Sequence, residues 1–198
     1  MKKKCAIVGI LISILVTGFV ANAKRNEMQE ELAHEVFRFH VLANSDSEED
    51  QALKMKVKEV ILSYMEQELP ESDSVETTKK WANQNLDQIE EVAAEIIAEE
   101  GYEYAVKAKV TMCEFPDKTY GDITFPAGKY EALRVEIGEA EGQNWWCVLY
   151  PNLCFIDAVH AVVPDEGKEE LKEVLEEDTY EMVTTTTRFK IGWFFFSR

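Results

Sequence analysis

The chain has 198 residues, of which 46% are hydrophobic, and its 38 acidic residues outnumber 21 basic ones to give a net charge of −17. The apolar fraction excludes a disordered, solvating chain, and the length suits one domain with a buried core. The acidity argues against nucleic acid, and against loose docking on anionic lipid, because both depend on clustered Lys and Arg. We therefore expect an acidic globular protein whose partners are proteins or small molecules.

Residues 1–23 have the pattern of an export signal. Three lysines precede an uncharged run from Cys5 to Val20, and a small-x-small tripeptide of the kind that signal peptidase cleaves follows at 21–23. Cleavage would leave 18 basic against 38 acidic residues, a net charge of −20. The alternative is an uncleaved anchor, because the apolar stretch is just long enough to span a bilayer. Either way the positive flank places the remaining chain outside the cytoplasm, with membrane contact only through this segment.

After this segment we expect a polar short helix or linker over 24–34 and a single domain over 35–198. The domain opens with a half-buried strand over 35–42, in which apolar side chains alternate with Arg38 and His40. The acidic turn that follows has the composition of a helix N-terminus.

The pattern then predicts two long helices, the first ending at Pro70 and the second running from a cap at 72–74 to Gly101. The later predicted elements are a strand over 102–112, a polar turn over 116–122, a hairpin of strands over 130–138 and 144–150, a charged helix over 166–177 and a last strand over 184–196. The order β-α-α-β-β-β-α-β predicts an α+β fold: a mostly antiparallel sheet of about five strands, with the two long helices packed on one face.

The acidic turn at 44–50 has enough oxygen atoms for calcium, but it lacks the spacing and central glycine of an EF-hand loop. Helix capping accounts for the same residues without a metal, so we expect a cap. The sequence contains no Gly-rich phosphate loop and no HExxH or CxxC pair, and we expect neither a metal nor a cofactor.

Three cysteines follow the export segment. Cys147 and Cys154 flank a Tyr-Pro-Asn turn and are the favoured disulfide pair, which leaves Cys113 spare; burial of all three as small apolar residues fits the sequence equally well. Cys154, Asp157 and His160 are also spaced three apart, as a thiol hydrolase cluster on one helix face would be. Such triads are normally assembled from distant segments, and no nucleophile elbow surrounds this one, so we expect no enzyme.

Trp145 and Trp146 are adjacent on a predicted strand, so their side chains point to opposite faces of the sheet. The expected hairpin neighbour has only one apolar face. One tryptophan is therefore either part-exposed or covered by the loop over 151–163, and the sequence favours neither. Exposed aromatic residues on a rigid strand commonly anchor protein interfaces.

Several stretches together resemble the stage II sporulation protein R family of endospore-forming bacteria. They are FRFHVLANSDS (37–47), DQALKMKV (50–57), FPAGKYEALRV (125–135), IG (137–138), GQNWWCVLYP (142–151) and LCF (153–155). The resemblance covers nearly all of the chain after the export segment. It implies a protein made in the forespore and exported between two membranes, where it acts on a membrane-embedded aspartic protease of the mother cell that then cleaves an inactive sigma-factor precursor.

This resemblance carries over no catalytic residues. We therefore expect a secreted, non-enzymatic activating ligand with two contact regions, one after the first strand and one on the tryptophan strand. The candidate contact residues are His40, Asn44, Ser45, Asp46, Trp145 and Trp146. The alternatives are an exported thiol hydrolase that uses Cys154 and His160, and a scaffold that holds the two membranes in register.

Overall fold

The structure is a computed structural model that describes residues 2–69, 74–154, 163 and 165–194, without the side chains of 2–12, 14, 166 and 186–194. Its elements in chain order are α1 (Lys2–Glu35), β1 (Phe37–Leu42), α2 (Glu48–Glu68), α3 (Val75–Gln84), α4 (Leu86–Glu99), β2 (Val106–Phe115), β3 (Lys118–Tyr120), β4 (Ile123–Phe125), β5 (Gly128–Ile137), β6 (Asn144–Tyr150), α5 (Asp165–Val174) and α6 (Glu177–Phe194). Within the described residues, no helix combines the length and apolarity needed to cross a membrane.

The main sheet has four strands in the order β2-β5-β1-β6, and β3 pairs with β4 in a separate hairpin. β1 is parallel to β5, whereas the β1–β6 and β2–β5 pairs are antiparallel. The predicted α+β class and mostly antiparallel sheet are confirmed. The predicted hairpin of 130–138 with 144–150 is wrong, because β1 lies between these two strands. β1 is buried along its whole length, not half-buried as predicted, and a strand covered on both faces takes a central position.

Helices α2, α3 and α4 cover one face of the sheet. Their buried side chains, among them Leu53, Ile61 and Ile97, pack against Phe39 and Val41 of β1 in one hydrophobic cluster. The expected packing of helices on one face is confirmed, although three helices lie there and not the two predicted.

The predicted second long helix is two helices, because Asn85 interrupts it. The Asn85 backbone is not helical (φ −114°, ψ 17°), and its side-chain amide donates to the Trp81 carbonyl at 2.8 Å. A short amide side chain competes in this way with the backbone for a carbonyl group, which favours a helix end.

The opposite face is partly covered by the C-terminal half of α1, the β3–β4 hairpin, α5 and α6. Leu32 of α1, Phe125 of β4 and Val183 of α6 are fully buried there in a second cluster. Residues 24–34, expected as a short helix or linker, are helical and continue α1. Glu31 accepts hydrogen bonds from the Thr179 hydroxyl and from the Glu176 N–H, which fixes α1 to the start of α6.

The last strand predicted, over 184–196, is wrong in the described residues, where α6 continues to Phe194. The alternation of Phe189, Ile191, Trp193 and Phe195 predicted a strand, but the Thr184 hydroxyl donates to the Tyr180 carbonyl at 2.9 Å, a bond that helices accommodate. Thr179 and Val183 are buried one helical turn apart. Tertiary packing has therefore overridden β propensity, and the main sheet has four strands instead of five.

Candidate functional site

The turn between β1 and α2 is closed by its own side chains. Ser47 is the N-cap of α2 and accepts the Asp50 N–H at 3.1 Å. Asp50 is only 4% exposed, and its Oδ2 accepts the Asn44 amide at 2.8 Å and the Ser45 hydroxyl at 2.5 Å. The predicted helix cap is confirmed.

Burial acts to raise the pKa of Asp50, but hydrogen bonds from Ser45, Asn44 and Tyr104 outweigh it and hold the pKa below its usual range. The carboxylate is therefore ionised at neutral pH. Hydrogen bonds to an ionised acceptor are about twice as strong as neutral ones, so Asp50 is the main anchor of this turn.

The loop between β5 and β6 docks on the same turn. The Glu139 N–H donates to Asn44 Oδ1 at 3.0 Å, and the Gln143 N–H donates to Asp46 Oδ1 at 2.7 Å. Lys54 Nζ, from α2, donates to the Gln143 carbonyl at 2.9 Å. The two motif-bearing loops, distant in sequence, thus form one rigid unit that presents the exposed side of Asp46.

Two glycines allow the loops to approach this closely. Gly138 has φ +56°, and a Cβ there would lie 2.2 Å from Asn44 Oδ1. A Cβ at Gly142 would lie 2.1 Å from the Ser45 backbone oxygen. Both contacts are far below van der Waals distance, so a side chain at either position would separate the loops.

The adjacent tryptophans point to opposite faces of the sheet, as predicted. Trp145 meets Phe39 edge to face with ring centroids 5.6 Å apart, and the Lys58 ammonium lies 5.4 Å from its ring. Trp146 stacks on His40 with centroids 3.8 Å apart. Both indole side chains are half-buried, so each leaves some surface for contact.

His40 lies beneath Trp146 and is 3% exposed. Burial lowers the pKa of His40 to about 4, an effect that the neighbouring Asn144 side chain only partly offsets and that the Arg134 cation reinforces. The imidazole is therefore neutral at pH 7. Of the candidate contact residues, His40 is the one that the structure places below the surface.

Arg38 is fully buried, whereas the sequence pattern predicted a polar, exposed side of the strand. Its guanidinium lies 4.3 Å from the Phe115 ring centroid and 5.0 Å from that of Tyr130. Nε donates to the Cys147 carbonyl at 3.0 Å and Nη2 to the Tyr120 hydroxyl at 3.1 Å. In the described part of the chain no carboxylate pairs with it. Sequence reasoning missed this site, and the one available signal was the density of aromatic residues in the segment 115–130.

Cys147 and Cys154 are neighbours, since the sulfurs of both contact the Val148 carbonyl oxygen, at 3.7 and 3.0 Å. Both are free thiols in the structure, as is the buried Cys113, so the disulfide stays a prediction. Burial, and then the hydrogen bond with Cys147, raise the pKa of Cys154 well above its usual value. A thiol nucleophile needs a lowered pKa, because the thiolate is the reactive form. His160, the other member of the thiol hydrolase alternative, lies outside the described residues.

Comparisons with known proteins identify the same family that the sequence motifs of these loops resemble. The family model described as stage II sporulation protein R matches residues 33–160. A Bacillus subtilis (strain 168) protein named stage II sporulation protein R is 32% identical over 183 residues, which cover 88% of this chain and 82% of that protein. No solved structure matches. The chain therefore belongs to the stage II sporulation protein R family, and its role is in sporulation.

Proposed function

We propose that this chain is an exported, non-enzymatic signalling protein that activates a membrane-embedded aspartic protease of the mother cell, and so causes processing of an early sigma-factor precursor. Its place of action is the space between the forespore and mother-cell membranes. The observation that carries the proposal is family membership over 88% of the chain.

The apolar part of α1 supports export. Leu15 and Phe19 are 72% and 77% exposed, an arrangement that is unfavourable in water and suited to a segment that enters a membrane. From Gln29 onward the helix belongs to the domain instead, because the Gln29 amide donates to the Tyr130 hydroxyl at 2.9 Å and Leu32 is fully buried. Cleavage after Ala23 would leave these domain contacts intact.

The ligand role needs a surface that favours one state of its receptor, because a ligand shifts an equilibrium only by its differential affinity for the two states. Asp46 and Trp146 are the contacts that we propose. Asn44 and Ser45 act through Asp46 by holding its turn, and His40 acts through Trp146 by supporting the ring from below. A contact surface held rigid before binding loses little conformational entropy on binding.

The test uses a sporulating strain that lacks its own family member and expresses the full chain. We expect wild type to restore precursor processing, and Asp46→Ala or Trp146→Ala to lower it at least tenfold at equal protein level. Glu95→Ala, an exposed acid on α4, is the matched control for Asp46 and should process normally. Trp146→Phe keeps an aromatic ring over His40 and should retain folding.

Full processing in both alanine variants would contradict the proposed contacts. Failure of the wild-type chain to restore processing would contradict the role itself.

A further inference from the structure

One end of the second sheet face is left uncovered by the described residues, and it carries a row of side chains that crosses all four strands. In the register of the sheet, Lys109 of β2 lies opposite Arg134 of β5, and Arg134 lies opposite His40 of β1. His40 in turn lies opposite Trp146 of β6. Cross-strand partners share a face, so two cations, a buried imidazole and an indole follow one another across the sheet.

This end of the sheet is basic in a strongly acidic protein. Glu136 accepts Arg134 Nε at 2.6 Å and Lys109 Nζ at 3.0 Å. Burial acts to raise the pKa of Glu136, but these two cations outweigh it and keep the carboxylate ionised. Lys107, opposite Glu136, is exposed and forms no ion pair within the described residues. Glu139 of the β5–β6 loop lines the same surface, so two carboxylates face three cations there, while the whole chain carries −17.

The surface is also concave. A recess of about 390 Å³ lies between Lys107, Arg134 and Glu136 on the strands and Gly138, Glu139 and Ala140 on the loop. This loop is part of the rigid unit anchored by Asn44 and Asp50, so the wall of the recess is fixed before anything binds. Its volume suits one or two side chains of a polypeptide, whereas a bilayer presents a broad, flat surface.

We propose that Lys107, Lys109 and Arg134 form a docking site for an acidic extracytoplasmic segment of a protein partner, with Trp146 at its end. The inference rests on the proposed function, in which that partner is the membrane protease. Charge complementarity selects the acidic segment, because the three cations of this surface outnumber its two carboxylates. An anionic lipid surface is disfavoured, because it would repel the remainder of this acidic chain.

The test is a charge reversal, Lys107→Glu, in the full chain expressed in the sporulating strain described above. The matched control is Lys80→Glu on α3, since Lys80 is also exposed and forms no ion pair within the described residues. Both substitutions change the net charge equally. We expect Lys107→Glu to slow precursor processing at least tenfold at equal protein level, with Lys80→Glu processing at the wild-type rate. Changing an acidic residue of the partner's extracytoplasmic segments to Lys should restore processing to Lys107→Glu.

Equal, normal processing by the two variants would overturn the docking site and leave the proposed function standing. A Lys107→Glu defect that is relieved by altering the anionic lipid content, and by no acidic-to-Lys change in the partner, would also overturn it. A wild-type chain that restores no processing would overturn the proposed function and the docking site together.

Discussion

Replacing the buried imidazole of His40 by a side chain that does not titrate should remove much of the acid sensitivity of folding. His40 has a pKa of about 4 in the folded protein, against 6.5 for an exposed histidine. In the unfolded state it therefore takes up a proton at higher pH, so stability present above pH 6.5 is lost as the pH falls toward 4. Each tenfold difference in proton affinity between the folded and unfolded states is worth about 1.4 kcal/mol. Protonation of His40 alone should therefore lower the free energy of unfolding by about 2 kcal/mol between pH 7 and pH 4.5.

The assay is urea unfolding, followed by far-ultraviolet circular dichroism, of wild type and His40→Phe at pH 7 and at pH 4.5. Phenylalanine retains a ring against Trp146 but does not titrate. Carboxylates such as Asp50 and Glu136 contribute the same pH dependence to both proteins, so the difference between the two losses isolates His40. We expect wild type to lose about 2 kcal/mol more than the variant. An equal loss in both proteins would refute a buried, neutral His40.

Three further predictions concern the loops and the thiols. Gly142→Ala should destabilise the fold by about 2–3 kcal/mol in thermal unfolding, because the added Cβ would lie 2.1 Å from the Ser45 backbone oxygen. The control is Gly101→Ala, which should cost only about 1 kcal/mol, because Gly101 has φ +84° but open space around it. Asp50→Ala should cost about 3 kcal/mol, since it removes an ionised acceptor of two side-chain hydrogen bonds, and normal stability would contradict its anchoring role. If the exported protein forms the Cys147–Cys154 bridge, its intact mass should rise by about 2 Da on reduction, and two alkylatable thiols should appear at these positions; three reactive thiols without reductant would exclude the bridge.

The parts of the structure that the sequence predicted depend on local interactions. The cap at 44–50 follows from the preference of short polar side chains for helix N-termini, and the opposed tryptophans follow from strand geometry. The contact between the two motif-bearing loops is not local, because it joins Asn44 to Glu139 across 95 positions. Nothing in the periodicity of either segment specifies that pairing.

The errors have the same origin. The alternation within β1 predicts that Arg38 faces solvent. In the structure, Phe115, Tyr120 and Tyr130 from other elements surround its guanidinium. The placement of β1 between β5 and β6 depends on both of its faces being covered, which alternation within 35–42 does not reveal. The apolar alternation within 184–196 fits a strand, and only the burial of α6 against the second cluster decides for a helix.

Whether the protein must be exported to act is tested by comparing the full chain with a version lacking residues 5–20, both produced only in the forespore of a strain without its own family member. We expect the full chain to restore processing of the sigma-factor precursor and the shortened chain, present at equal level, to restore none. Equal processing by the shortened chain, retained inside the compartment that made it, would contradict a signal that must leave that compartment to act.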